Sequence, residues 1–283
     1  MEGGAAGRRP PRELLGLALR AAGRAGQEIL GVYFGQFAVD SKEDRTPITE
    51  ADRRAHRVIA EELAAGSPYP LLSEEGPQAP YAERRRWRRF WLVDPLDGTK
   101  EFVKRNGEFT VNIALIQRGR PVLGVVYAPA SGLLYFAARA AGAFKAEGLS
   151  PGPELERALR SARVLPRRPS TFPGRIPSRP QAARLTVMAS RSHTSQEWQR
   201  YLERLREVYA EVVVLSLGSA LKLCLVAEGK ADLYLRFGRT MEWDTAAAQA
   251  VLEAVGRRMR AYPTRRRLRY NKVSSANPDF LTC

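Results

Sequence analysis

Two cysteines are all that the 283 residues hold, Cys224 in an apolar helical stretch and Cys283 at the last position, so no disulfide framework is expected and a reducing compartment fits better. Histidine is as scarce. Of His56 and His193, the first falls inside a helical stretch, where a structural role is the simpler reading. Long apolar runs are missing too: the longest, Val212 to Ala227, is interrupted by Gly218 and Lys222 and is too short to span a bilayer. The first 12 residues are rich in Gly and Arg and lack an apolar core, which excludes a secretory leader and predicts a disordered tail. There is no internal repeat. Together these absences predict a soluble, cytoplasmic protein.

Acidic residues are outnumbered, 30 against 46 Lys and Arg, for a net charge of +16. Such an excess can mark a nucleic-acid binder. The arginines, however, fall in scattered clusters (Arg84 to Arg89, Arg157 to Arg184, Arg257 to Arg269) with no aromatic residue but Trp87 placed to stack on bases. A solvated basic surface is the simpler reading, and no nucleic-acid partner is expected. The same field would draw in a small polyanion, and it leaves peripheral contact with the inner face of a membrane open.

What is present is a 44% hydrophobic content, enough for a sizeable core, in an ordered pattern. Helical spacing covers Leu14 to Phe34 and about Glu50 to Ala65, the latter with Thr49 as N-cap and Asp52 three residues on. Phe90 to Val93 reads as a buried strand. Phe109 to Gln117, Pro121 to Ala128 and Gly132 to Ala137 read as an antiparallel meander. Residues 147–183 turn to Pro, Arg, Gly and Ser, and apart from one short helix at Leu155 to Ala162 they bury too little apolar surface to order strongly. Beyond them strands at Leu185 to Ala189, Val212 to Leu217 and Ala231 to Leu235 alternate with helices at Ser195 to Val208, Gly218 to Glu228 and Asp244 to Val255, a second α/β layer. The expected organisation is a tail (1–12), an α+β unit (13–146), a connecting segment (147–183) and an α/β unit (184–283).

Acids stand at the ends of these elements. Asp94-Pro95-Leu96-Asp97-Gly98-Thr99 closes the Phe90 strand with two carboxylates three positions apart. Pro95 lets the next peptide turn the Leu96 carbonyl toward the point that Asp94 and Asp97 face, and three hard oxygens suit Mg²⁺. Gly98 presents no Cβ, and its N–H with that of Thr99 would cradle a phosphate if a helix starts there. Alone, the string is also an ordinary turn, and Asp52 alone is also a helix-dipole partner. Three further acidic sites alter that: Glu74-Glu75, Asp52 and Trp243-Asp244. Adjacent acids repel and need a cation to offset them. Four separated acidic sites at element ends predict one shared centre.

In this order, Asp52, Glu74-Glu75, Asp94 to Thr99, then Trp243-Asp244, the residues resemble the lithium-sensitive, Mg²⁺-dependent phosphomonoesterases that include inositol monophosphatase and fructose bisphosphatase. Within that group, Asp94 to Phe102 followed by Lys104 to Leu115 resembles the bacterial 3'(2'),5'-bisphosphate nucleotidases of sulfate assimilation. Lys100-Glu101 discriminates best, since inositol phosphatases usually carry Thr-Asn there. Ser190 to His193, Gly218 to Lys222, Val226 to Gly229 and Asn277 to Phe280 extend the likeness, which runs from about Leu14 to Phe280. The 147–183 segment departs from it, being longer and more basic than is usual.

The resemblance implies a layered α-β-α-β-α sandwich with the active site between its halves, acting on a small nucleotide as a monomer or homodimer. It implies two or three Mg²⁺: Glu74, Asp94 and the Leu96 carbonyl on one, Asp94, Asp97 and Asp244 on a second, and Glu75 either on a third through water or supporting the first two. Asp52 and Thr99 would orient and deprotonate the attacking water. The substrate would meet Lys100, Glu101, Ser192, His193, Gly218, Ser219, Lys222 and Arg236. Arg236 otherwise is a rim charge, and His193 otherwise caps a helix. The family's second Ser is Ala220 here, which removes one hydrogen bond. Trp243 is read as packing. The expected reaction releases the 3'-phosphate of adenosine 3',5'-bisphosphate, and extends to its sulfated 3'-phosphoadenylyl precursor. The alternatives are an inositol- or sugar-phosphate phosphatase and a basic nucleotide-binding protein without turnover.

Overall fold

The computed structural model describes residues 11–35, 39–41, 47–168, 172, 176, 181–191 and 195–282. Residues 1–10 of the expected tail (1–12), Ser192, His193 and Cys283 therefore fall outside the described residues, while Pro11 and Arg12, expected in the tail, open the first helix. Helix α1 (Pro11–Tyr33) is followed by a two-stranded ribbon, β1 (Val39–Ser41) and β2 (Pro47–Thr49), which leads into helix α2 (Glu50–Gly66). Next come β3 (Leu71–Ser73), α3 (Tyr81–Arg84), β4 (Arg89–Asp97), α4 (Thr99–Val103), β5 (Thr110–Gln117), β6 (Arg120–Ala128), β7 (Leu133–Ala138) and β8 (Gly142–Ala146). A 3₁₀ turn at Pro153–Arg157 runs into α5 (Ala158–Ser161), where the sequence predicts one short helix. It is followed by β9 (Arg163–Leu165), β10 (Gln181–Ser190), α6 (Gln196–Arg206), β11 (Tyr209–Leu217), α7 (Leu221–Glu228), β12 (Leu233–Arg236), α8 (Glu242–Ala254), β13 (Met259–Ala261) and β14 (Phe280–Thr282).

Strands β3 to β9 form a seven-stranded sheet in sequence order, antiparallel except for the β3–β4 pair. The inclusion of β9 is not expected from its Arg- and Pro-rich surroundings. The pleat sorts side chains between two cores. Trp91, Val93, Val111, Ile113, Val125 and Tyr127 join α1 and α2 on one face. Phe90, Leu92, Ala114, Ile116, Val126 and Tyr135 join α7 and α8 on the other.

The second sheet is ordered β11-β10-β12-β14-β13, with β10 parallel to β11 and to β12. Its Met188 and Tyr234 face α7 and α8, while Leu185, Val187, Leu233 and Leu235 pack outward beneath Tyr201 and Leu205 of α6. The result is the α-β-α-β-α sandwich. Helix α8 is its central layer, and Gly124 lets it approach: a Cβ there would lie 2.2 Å from the Ala247 carbonyl oxygen. Among the described residues no helix is long and apolar enough to cross a membrane.

Two local expectations are corrected. Strand β4 does not stop at Val93 but continues through Pro95 to Asp97. Its register with β5 slips between Asp94, opposite Asn112, and Asp97, opposite Thr110. Pro95 falls within this bulge, where its missing N–H removes no ladder bond. Helix α7 starts at Leu221, not Gly218, because Ser219 takes a left-handed backbone with φ of 48°.

Candidate active site

The bulge in β4 turns Asp94 into the gap between the two sheets. Glu74 stands in the turn after β3, fixed by its N–H to the Val93 carbonyl at 3.1 Å. Asp244 arrives from the first turn of α8, where its Oδ2 accepts from the Met241 N–H at 3.0 Å and so caps the helix. Carboxylate oxygens of Glu74, Asp94 and Asp244 lie within 4.8 Å of one another. Desolvation, then Glu74, Asp97, Asp244 and Asp52, hold the Asp94 carboxyl well above its ordinary range. Desolvation likewise raises Asp244, with Asp97 and Glu74 adding to it. Crowded carboxyls of this kind lack positive charge, and hard oxygen donors so placed fit a divalent cation.

Asp97 lines the same cleft beside that trio. Its Oδ2 accepts from the Asn112 amide at 3.2 Å and the Thr110 hydroxyl at 3.5 Å. Desolvation pushes it up to about 6, against Lys222, Asn112 and the Ala220 N–H, which favour the charged form. The Leu96 carbonyl takes a 3.4 Å contact from the Thr99 hydroxyl, and the Leu96 N–H donates to Asp94 Oδ1 at 3.1 Å.

Behind the carboxylates lies Asp52, 2% exposed. The Thr49 N–H at 2.7 Å and hydroxyl at 2.6 Å both donate to its Oδ2, and the Thr99 hydroxyl donates to its Oδ1 at 3.3 Å. A helix does start at Thr99, with Gly98 ahead of it at φ of 97°, a conformation that favours glycine.

The cleft also holds cations. Lys222, buried, donates to the Ser219 carbonyl at 2.6 Å. Burial pulls its ammonium down to about 8, with Asp97 resisting. Arg236 is 8% exposed; its Nη2 reaches the Arg239 carbonyl at 3.0 Å, and its Nε has no acceptor among the described residues. Gly218 is tightly enclosed, since a Cβ there would meet Glu101 Cγ at 2.6 Å and the Glu108 carbonyl oxygen at 2.7 Å. Exposed Lys100 and buried Glu101 border the cleft as well.

Glu74, Asp94, Leu96, Asp97, Gly98, Thr99, Lys100, Glu101, Gly218, Lys222, Arg236 and Asp244 line one cleft of about 750 Å³, with Asp52, Thr49, Thr110 and Asn112 behind it. Glu75 shares the turn of Glu74 but is not among the lining residues. Trp243 lies in the core between the sheets and also borders the cleft, its Nε1 without an acceptor among the described residues. His56 lies beneath the Glu74 turn, its Nδ1 2.9 Å from the Ser73 hydroxyl. Sequence reasoning missed Thr110 and Asn112, whose signal is two polar residues at i and i+2 in an apolar strand. It also missed Tyr234 and Gln78 in the cleft wall, which carry no such signal.

A model of the inositol monophosphatase family matches residues 11–278. The 3'(2'),5'-bisphosphate nucleotidase CysQ of Salmonella typhimurium is 44% identical over 262 residues, 92% of this chain and 95% of that one. Its Escherichia coli K12 counterpart is 45% identical over 246 residues, 86% and 88% of the two chains. Among solved structures, CysQ from Bacteroides thetaiotaomicron superposes with a TM-score of 0.80 at 42% identity, covering 94% of this chain and 95% of that one. On fold, matched sequence and the carboxylate cleft together, the chain belongs to the inositol monophosphatase family.

Proposed function

We propose that the protein is a 3'(2'),5'-bisphosphate nucleotidase, hydrolysing adenosine 3',5'-bisphosphate to AMP and phosphate and acting in the same way on the sulfated 3'-phosphoadenylyl precursor. The observation that carries this reading is the mixed charge of the cleft, where the crowded carboxylates share one cavity with the buried cations Lys222 and Arg236. A bisphosphate has two anionic groups to satisfy. One would sit at the carboxylate end and the second on the buried cations, an arrangement that a monophosphate half fills.

Glu74, Asp94, Asp97, Asp244 and the Leu96 carbonyl would hold Mg²⁺, with Glu75 supporting them. When bound, the cations supply Lewis-acid polarisation of the phosphoryl group and charge compensation for its oxygens. Thr99, with its hydroxyl donating to Asp52 Oδ1, offers its oxygen lone pairs to a water; the proton lost on attack passes through Thr99 to Asp52. Thr49 keeps Asp52 in place for this with two short hydrogen bonds to Oδ2. The N–H groups of Gly98 and Thr99 meet the transferred phosphoryl oxygens. Lys222 and Arg236 bind the second phosphate, Gly218 and Ser219 border the ribose, and Lys100, Glu101, Ser192 and His193 complete the nucleotide contacts. The reading places the enzyme in the cytoplasm, as a monomer or homodimer, with its basic surface free to meet the inner face of the membrane.

The test is phosphate release from adenosine 3',5'-bisphosphate and from inositol 1-phosphate, side by side, with and without Mg²⁺. Mg²⁺-dependent release favouring the bisphosphate is expected, and its collapse in Asp97→Asn. Equal or better release from inositol 1-phosphate would overturn the proposal.

A further inference from the structure

Glu108, outside the cleft lining, is a carboxylate on which two of the second sheet's segments beside the cleft converge. It stands in the loop before β5, and so belongs to the first sheet. Arg191, directly after β10, reaches it with both arms of the guanidinium, Nε to Oε2 at 2.8 Å and Nη2 to Oε1 at 2.7 Å. Gly218, directly after β11, gives Oε2 its N–H at 2.8 Å. Arg191 Nη2 also bonds the Ser216 carbonyl at 3.1 Å, and the Arg191 N–H bonds the Leu217 carbonyl at 3.2 Å. The loop of Glu108 is itself fixed by the Asn106 side chain, which accepts the Glu108 N–H at 2.9 Å.

From Gly218 the constraint runs through two peptides, 217–218 and 219–220. The Gly218 N–H is held by Glu108 and the Ser219 carbonyl by the Lys222 ammonium, while the Ala220 N–H faces Asp97. Ser219 aims its carbonyl at Lys222 from a left-handed backbone, and the peptide before it must stay put for that to persist. A bidentate Arg–carboxylate pair is directional enough to supply such a fixed point, even with the Arg191 side chain 46% exposed. The carboxylate of Glu108 also favours the charged form of Lys222, and Arg191 offsets its net charge.

We propose that Glu108, together with Arg191, is a positioning residue that fixes the 218–222 loop, and with it Lys222, at the nucleotide end of the cleft. This deepens the nucleotidase reading and rests on it. Removing the latch should act mainly on nucleotide binding, with a smaller effect on the hydrolytic end, which the loop meets at Asp97.

The variants are Glu108→Ala, Arg191→Ala, the double variant, and Glu108→Gln, which keeps an acceptor for the Gly218 N–H if the fully truncated side chain proves unstable. Two readouts are needed. Amide hydrogen exchange of the peptide spanning 216–222 in the substrate-free protein is expected to accelerate in Glu108→Ala, and less in Glu108→Gln. For adenosine 3',5'-bisphosphate, KM should rise on the order of tenfold with kcat within about twofold, and the double variant should be no worse than Glu108→Ala alone. Unchanged exchange with unchanged KM, or strictly additive single-variant effects, would overturn the proposal, as would a fall in kcat as large as the rise in KM. If the wild-type protein releases no phosphate from the bisphosphate, the nucleotidase reading fails. The exchange measurement still decides whether Glu108 holds the loop.

Discussion

The Thr99 hydroxyl reaches Asp52 Oδ1 at 3.3 Å while Thr49 occupies the other oxygen of the same carboxylate. Asp52 thus caps α2 with one oxygen and faces the cleft, through Thr99, with the other. Helix capping and proton transfer are separable by substitution. Thr99→Ala and Asp52→Asn are each expected to lower kcat by roughly 10²- to 10⁴-fold. Thr99→Ala should leave the melting temperature close to wild type. Thr49→Ala should cost about 1 kcal/mol of stability and a smaller share of kcat. Steady-state kinetics beside thermal unfolding checks all three.

The crowding around Asp94 gives a prediction of sign. Without a divalent cation, desolvation and its acidic neighbours oppose the charged form. Asp94→Asn removes one charge from the cluster, so its cation-free melting temperature is expected to equal or exceed that of the wild-type protein. Adding Mg²⁺ should raise the wild-type value in a concentration-dependent way and leave the variant nearly unmoved. A cation-free variant that melts well below wild type would contradict this account.

Gly124 controls how closely α8 meets the large sheet. A Cβ there would also stand 2.8 Å from that of Ala250, so backbone and side chain both block it. Gly124→Val is expected to destabilise by about 1–3 kcal/mol or more, as overpacking does. It should also lower activity, because α8 carries Asp244. Urea unfolding followed by an activity assay on the folded fraction tests both.

Glu228, at the end of α7, accepts from the Tyr135 hydroxyl at 2.7 Å and the Lys145 ammonium at 2.8 Å. Burial works to raise this carboxyl, and the hydrogen bonds from Lys145 and Tyr135 outweigh it, leaving the group below its ordinary range. A carboxylate depressed on folding adds stability above its unfolded value, about 4.3 for Glu, and loses it as pH falls through the lower folded value. Glu228→Gln should therefore melt below wild type at pH 7, and the gap should close below about pH 4. Thermal unfolding across pH 3–7 measures it.

The parts of the fold that local chemistry dictates are legible in the sequence. Alternating residues such as Val111, Ile113 and Leu115 announce one face of β5, and Thr49 with Asp52 announces the start of α2. Strands β13 and β14 are not legible, because each is three residues long and owes its existence to distant pairing, as Phe280 does to Ala261 and Arg236. Pro95 misleads for a definite reason: proline usually ends a strand, and here a bulge accommodates it. At the site, acids at element ends pointed to a shared centre. The bond between Glu108 and Arg191 joins residues 83 apart, and no spacing rule connects them.

Asp244 rides on a helix wedged between two sheets, and the segment that carries it is made late in synthesis. A ribosome that has translated through β11 has already produced Glu74, Asp94 and Asp97, but not the carboxylate that closes the trio or the buried cations of the cleft. Such a nascent chain could not hydrolyse anything. Competence arrives with docking of the segments that follow β11, so premature termination there would yield an inert product and not a weakened enzyme.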